Sequence, residues 1–399
     1  ARDFLVPSRL HKGMCYALPQ SPQMLKQILM ISGVDRYFQI VKCFRDEDSR
    51  ADRQPEFTQI DVEMSFVTME TLYSTHEKLM QAVFKGVKGV EIETPFKRIT
   101  WHEAMLKYGS DKPDIRFGCQ ISDVSDLVSN VGIGFIDSIT NSGGVVRGVV
   151  YPGGARLSRK QISELEKVAQ TRGAKGLIGV KVTDELDLTG GPVGKLLPED
   201  KKKQLIDRIG AEAGDLICLI AGSELVVAES LGTVRLEIGK RESLHSDVLE
   251  FLWVTEFPLF EYNENEDRYT AMHHPFTAPM DEDVDLMESD PGNCRAKAYD
   301  LVLNGVEIGG GSVRIHNPEV QHKMFSALGI SKEQAESQFG FFLEALSYGT
   351  PPHCGIAFGL DRMIMILAET DNLRDVIAFP KTLQAVCLMT QAPSPVTDE

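Results

Sequence analysis

Residues Phe44 to Phe66 read FRDEDSRADRQPEFTQIDVEMSF, and the second half of that stretch decides the kind of fold. Thr58, Ile60, Val62, Met64 and Phe66 fall on one side of an extended chain, and Phe57, Gln59, Asp61, Glu63 and Ser65 on the other. Alternation with period two predicts a strand with one packed face and one polar face. Tyr37 to Phe44 also reads as a strand, so the two form an antiparallel pair. The loop between them carries Arg45, Arg50 and Arg53 among five acids. A loop of this kind is either a solvated surface or a cationic site, and the segment alone leaves both open.

Working outward, the next informative stretch is AYDLVLNGVEIGGGSVRIHNP, Ala298 to Pro318. Asn304-Gly305 is the strongest short hairpin signal. A two-residue turn there places Asp300 and Glu307 on one face as diagonal neighbours, roughly 7–8 Å apart. Such a pair is either hydrated or holds a hard cation such as Mg²⁺, which takes oxygen ligands and keeps water and phosphates. Simple parity puts Arg314 on the opposite face from Glu307. The run Gly309-Gly310-Gly311 therefore predicts a bulge that brings Arg314 round to the same side.

Near the end, GIAFGLDRMIMIL (Gly355 to Leu367) reads as a short apolar strand running into a helix with Leu360, Met363, Ile364 and Leu367 on one side. Arg362 sits in the first helical turn, where the helix dipole disfavours a cation; it is either solvent-exposed or faces an anion. AMHHPFTAP (Ala271 to Pro279) carries adjacent histidines. Neighbours on a strand point oppositely, so they do not share one metal; each is a core histidine or a substrate contact. In YALPQSPQMLK (Tyr16 to Lys26), Ser21, Gln23 and Lys26 either line a polar pocket or cap and solvate a helix whose apolar side is Met24, Leu25, Ile28 and Leu29.

Composition bounds the rest. At 399 residues, 42% hydrophobic and 25% charged, the chain predicts two or three soluble globular domains. No apolar run approaches the ~20 residues of a membrane span. ARDFLVPSRL does not read as a secretory signal, because Asp3 interrupts it. Seven scattered cysteines without zinc spacing suit a reducing cytosol. The net charge of −16 is uneven: residues 1–60 hold nine Lys or Arg against seven acids, and 250–300 hold three against thirteen. Nucleic-acid binding is thereby neither supported nor excluded. No Ser-His-Asp order, HExxH or GxxxxGK[ST] is present.

From about Phe117 to Ser246 the character changes. VGIGFIDSI and GGVVRGVVYPGG read as short strands, Ser158 to Thr171 as a polar helix, GLIGVKV as another strand, and Pro198 to Lys203 as a loop. The expected organisation is a first domain part at 1–116, an α+β insert at 117–246 and a second part at 247–399.

Taken in order, ALPQSPQ, FRDEDSRADRQPEFTQID, AMHHPFT, NGVEIGGGSVRIHNP, YGTPPHCGIAFGLDR and DNLRDVIAFPK resemble the signatures of class II aminoacyl-tRNA synthetases, the bacterial-type aspartyl enzymes in particular. The resemblance covers nearly the whole chain. It implies an α+β fold, with an antiparallel six- or seven-stranded sheet flanked by helices and a GAD-like insert. It implies cytoplasmic ATP-dependent charging of tRNA(Asp), or of tRNA(Asp) and tRNA(Asn), with L-aspartate; a synthetase-like binder without turnover is the other class of reading. Arg45 and Arg362 would be catalytic. ATP would lie against Arg45, Asp46, Glu47, Gln54, Phe57, Glu307, Gly359, Leu360, Asp361 and Arg362. Aspartate would meet Ser21, Gln23, Lys26, Arg45, Asp61, His273 and Arg314. Mg²⁺ would be held by Asp300 and Glu307. Family members also have an N-terminal anticodon-binding domain, a first signature motif that builds a homodimer interface and an acidic residue for the substrate ammonium. This sequence starts after all three, so it is expected to be a piece of a longer protein.

Overall fold

The computed structural model describes residues 2–47 and 53–395, so Arg50 of the charged loop lies outside the described residues. The chain divides into two compact units, one of residues 1–97, 255–301 and 307–399, the other of 98–254 and 302–306.

Both strands read from the alternation are present, as β1 (Arg36–Phe44) and β2 (Glu56–Ser65), paired antiparallel from Arg36↔Met64 to Phe44↔Glu56. They open a seven-stranded sheet that also contains β3 (Lys97–Thr100), β4 (Phe251–Thr255), β5 (Ala298–Leu303), β6 (Val306–Val313) and β7 (His353–Gly359). Its order is β1-β2-β7-β6-β5-β4-β3. The polar face of β2 is not solvated: Asp61 and Glu63 are both 0% exposed. Alternation identified the two faces correctly but not which one sees water, because a buried ionic site and a wet surface use the same residue types.

Asn304 and Gly305 carry φ of 52° and 82°, the two positive values of the hairpin turn expected between β5 and β6. The predicted bulge follows from the register. Leu303 and Val306 flank the turn, while at the far end the Val313 amide donates to the Lys297 carbonyl at 2.9 Å. Six steps on β5 therefore match seven on β6. Pairing of β6 with β7 is continuous from Gly309↔Phe358 to Val313↔Cys354, so the extra residue lies between the turn and Gly309. It reverses parity, and Glu307, Gly310, Ser312 and Arg314 come to share one face.

Helix α1 (Gln23–Ile31) buries Lys26, Gln27 and Met30, while Leu25 is 65% and Leu29 36% exposed. This corrects the expected apolar side: Met24 and Ile28 do pack inward, but the two leucines do not. Pro22 takes the N-cap position without a side-chain hydrogen bond, so Ser21 is not the cap. Helix α2 (Met69–Lys88) is bounded by Thr68, whose side chain accepts from the Thr71 amide, and by left-handed Gly89.

The second unit is built on a five-stranded sheet in the order Ser122–Asp123, Val145–Tyr151, Leu216–Gly222, Ile178–Val182, Leu188–Thr189. Its central strand is buried on both sides. Ile217 and Leu219 enter one apolar cluster, and Leu216, Cys218 and Ile220 another. Helix α3 (Arg159–Gln170) begins with a reciprocal Ser158–Gln161 capping box. Two short readings here are corrected. Within VGIGFIDSI, Gly134–Asn141 is helical, with Ile136 buried; Pro198 opens the helix Glu199–Ile209, whose first-turn acids Glu199 and Asp200 favour that end.

Candidate active site

Across β2, β7 and β6 the site face of the sheet is nearly bare in the middle. Asp61 on β2 faces Ala357 on β7, which faces Gly310 on β6; Glu63 faces Gly355, which faces Ser312. Small residues on the inner strands leave a floor between charged side chains on either hand. The glycines are needed for close approach as well. A Cβ on Gly355 would stand 2.0 Å from Glu63 Oε2, and one on Gly311 would stand 2.0 Å from the Gly355 carbonyl oxygen.

At one end of this floor lies a buried ionic quartet. Lys26 Nζ contacts Asp61 Oδ1 and sits 3.1 Å from Glu63 Oε2. Arg314 forks onto the same carboxylate, Nε to Oε1 at 2.9 Å and Nη2 to Oε2 at 3.1 Å. Its Nη1 donates to Ser312 Oγ at 2.7 Å and lies 2.7 Å from His274 Nε2. Two cations thus alternate with two anions, each at most 2% exposed. Burial alone would push the Glu63 carboxyl up, but Arg314 and then Lys26 bring it down to about 2. Among the described residues, Asp61 Oδ2 and Gln23 Nε2 are buried without a hydrogen-bond partner.

Glu63 is a site residue that the motif reading passed over, and His274 is one that the sequence left open as a core histidine or a substrate contact, the resemblance choosing His273. Glu63 carried a signal, since it shares the polar face with Asp61; His274 carried none beyond its neighbour His273, which packs edge-on against Phe257 at 4.9 Å. Burial, Arg314, His273 and Lys26 together hold the His274 imidazole neutral well below its usual range. The Phe276 amide also donates to its Nδ1, at 3.1 Å. A neutral imidazole accepts at one nitrogen only, so the two donors compete for it.

These shifts set an acid limb of stability. Glu63 falls from 4.5 to about 2 on folding, so its contribution is complete above pH 4.5 and disappears as pH falls toward 2. It amounts to roughly 3 kcal/mol. The stability gap between the native chain and Glu63→Gln, measured by urea unfolding, is expected to narrow over that window. A gap independent of pH would show that the Glu63 charge is not what the fold uses. His274, held neutral, adds a loss that begins as pH drops below 6.5.

Beside the quartet is a cavity of about 200 Å³ lined by residues including Arg45, Glu47, Arg53, Gln54, Phe57 and Arg362. The Arg45 guanidinium lies over the Phe57 ring, 4.9 Å from its centre. Arg362 Nη1 donates to the Glu307 carbonyl at 2.5 Å and is 3.8 Å from Glu307 Oε2. Gly359 and Asp361 also line the cavity. Asp361 Oδ2 accepts from the Thr58 amide at 2.7 Å, tying helix α4 (Leu360–Leu367) to β2. That helix buries Met363 and Met365 and leaves Ile364 43% exposed, one step off the expected stripe. The Gln54 amide is engaged at both ends by the Lys381 backbone, at 2.7 and 3.1 Å. Asp46 is exposed, and its backbone bridges to Arg2. Asp46, Leu360 and Ser21 are not among the residues lining the cavity.

Asp300 and Glu307 converge above Gly310. A Cβ there would stand 2.5 Å from Asp300 Oδ1 and 3.5 Å from Glu307 Oε1. Among the described residues no group of three or more His, Cys, Asp or Glu could hold a metal ion. Two carboxylates over a bare glycine fit a hard cation that completes its shell with water and phosphate oxygens.

The chain belongs to the class II tRNA synthetases (D, K and N), whose family pattern matches residues 1–383. Aminoacyl-tRNA synthetases use ATP. It is 54% identical, over its whole length and 67% of the relative's, to the aspartate–tRNA ligase of Ruminiclostridium cellulolyticum, and equally so to that of Clostridium novyi. The aspartate–tRNA(Asp/Asn) ligase of Thermoanaerobacter sp. strain X514 is 52% identical over the same shares. The chain therefore spans about two thirds of these relatives. No helix among the described residues is long and apolar enough to cross a membrane.

Proposed function

We propose that this chain is the catalytic part of a cytoplasmic aspartate–tRNA ligase, activating L-aspartate with ATP and passing it to tRNA(Asp). The observation that carries the reading is the donor count at the quartet. Lys26 has three N–H groups and spends two, on Asp61 and Glu63. Arg314 has five; Nε, one on Nη2 and both on Nη1 face partners, leaving one on Nη2. Two uncommitted donors, one on each cation, match the two oxygens of a side-chain carboxylate. Asparagine would aim an NH₂ at one of them, leaving a buried N–H donor without an acceptor. A site built this way discriminates by on the order of 10⁴-fold.

The remaining roles follow from charge. The substrate ammonium suits the orphaned Asp61 Oδ2, with Gln23 beside it on α1. Arg45 faces the α-carboxylate and the α-phosphate, and Phe57 and Arg362 flank the adenine. Arg45 must then leave the Phe57 ring as the base enters. The α-carboxylate attacks the α-phosphorus in line, giving aspartyl-adenylate and pyrophosphate; the terminal ribose hydroxyl of tRNA then takes the aspartyl group. No side-chain nucleophile is needed, and rate comes from positioning and cationic stabilisation. Asp300 and Glu307 would hold Mg²⁺, which when bound supplies charge neutralisation at the phosphates.

The test is pyrophosphate exchange into ATP. Aspartate is expected to support it; equal support from asparagine or lysine would overturn the substrate. The Thermoanaerobacter relative, named for both tRNAs, favours tRNA(Asn) as a second acceptor, which charging of the two purified tRNAs decides. A homodimer suits the apolar surface of the first unit, where Phe38 is 74% and Ile40 62% exposed on β1. Sedimentation across a concentration series checks it.

A further inference from the structure

Within the second unit, a recess of about 450 Å³ lies beside the start of α3, with Arg159, Lys181 and Lys195 in its lining. Glu166 is the one carboxylate lining it among the described residues. None of the three cations is ion-paired among those residues. Lys181 is instead held by the Ala155 and Leu157 carbonyls, at 2.6 and 2.9 Å, which leaves its third N–H uncommitted. Arg159 and Lys195 are exposed. Three cations against the single carboxylate of Glu166 thus leave the recess with an excess of two positive charges.

The surrounding sequence agrees. Residues 155–176 hold six Lys or Arg against two acids, in a chain whose net charge is −16. Local charge of the opposite sign to the whole marks a surface that selects anions. The rest of the lining says which anion. Leu157 and Ile162 are aliphatic and no aromatic ring is present, so the recess has nothing on which a base could stack. Gly190 and Gly191, at φ of 89° and 59°, leave part of the rim without side chains, open to a strand passing over it. Cations without stacking groups read a sugar-phosphate backbone rather than a nucleotide.

We propose that this recess binds the phosphodiester backbone of RNA, giving the second unit a contact with the tRNA; this rests on the charging reaction proposed above. The test compares the whole chain with Arg159→Ala/Lys195→Ala. Binding of a fluorescent tRNA(Asp) transcript is followed over a range of salt, and aspartate-dependent pyrophosphate exchange, which needs no tRNA, is measured alongside. The variant is expected to bind the transcript about tenfold more weakly, with a salt slope lower by about two. Its exchange rate is expected to stay within about twofold of the native chain.

An unchanged affinity and slope would overturn the proposal, as would failure of the native chain to bind the transcript. Inorganic phosphate or ADP binding that the two substitutions abolish, with RNA binding untouched, would reassign the recess to small anions and overturn it too. Loss of RNA binding in a protein that never shows aspartate-dependent exchange would sustain the recess as an RNA contact while removing the catalytic reading.

Discussion

Arg314→Leu is expected to lower aspartate-dependent pyrophosphate exchange by roughly 10²–10⁴-fold while leaving ATP binding near its native strength. The guanidinium meets Glu63 through two hydrogen bonds at full burial and, in the proposed complex, supplies one of two donors to the substrate carboxylate. Removing one partner of a buried pair costs about 3–5 kcal/mol, equivalent to roughly 10²–10⁴ in an equilibrium constant. Lys26 then faces two carboxylates alone, so stability is expected to fall by a similar amount. Activity and folding can be separated with Arg314→Leu/Glu63→Leu. Replacing a buried ion pair by apolar groups is close to neutral, so the double variant is expected to recover most of the stability and none of the activity. Lysine at 314 is not a mild change, because a point charge cannot reproduce the fork. Native aspartate affinity in Arg314→Leu, measured by calorimetry, would remove the residue from the pocket.

The sequence disclosed strands, turn and bulge more readily than burial. Asn304-Gly305 announced its turn through a backbone requirement, and the glycine run announced a bulge or a close backbone approach, because side chains are otherwise favoured in a strand. Parity then required a bulge for Arg314 to join Glu307, and the register contains it. Burial was harder to read. On α1, Leu25 and Leu29 carry the apolar signal, yet Lys26 and Gln27 go inward, because the ionic partners that make a buried lysine tolerable lie on β2, far along the chain. Glu63 was in view as part of a polar face, but only the three-dimensional meeting with Arg314 distinguishes it from a hydrated acid. His274 depends on which of two adjacent rings turns toward Arg314, a choice made by the loop after Ala271 and by the Phe276 amide. Periodicity encodes which residues share a face; what covers that face is decided by residues remote in the chain.

Gly310→Ala should separate metal chemistry from folding, and its neighbour Gly311→Ala supplies the contrast. The two glycines are adjacent on β6, and a Cβ on either meets an oxygen far inside normal contact. At Gly311 that oxygen is the Gly355 carbonyl, 2.0 Å away, with Gly355 C and Ile356 Cα inside 3 Å as well. Backbone of a paired strand cannot withdraw without breaking the sheet, so Gly311→Ala is expected to unfold or misassemble the first unit. At Gly310 the nearest atom is Asp300 Oδ1 at 2.5 Å, the tip of a side chain, and the next contacts are at 3.4 and 3.5 Å. A carboxylate tip can swing away at little cost. Gly310→Ala should therefore fold, with thermal stability near native, but with Asp300 turned from Glu307. If these two acids share Mg²⁺, the Mg²⁺ dependence of exchange should move to higher concentration and the maximal rate should fall by about 10²-fold, the effect expected for losing one preorganised electrostatic contact. Asp300→Asn should give the same displaced titration without the added methyl. A folded Gly310→Ala variant with a native Mg²⁺ titration would mean that the convergence over Gly310 plays no part in holding the ion.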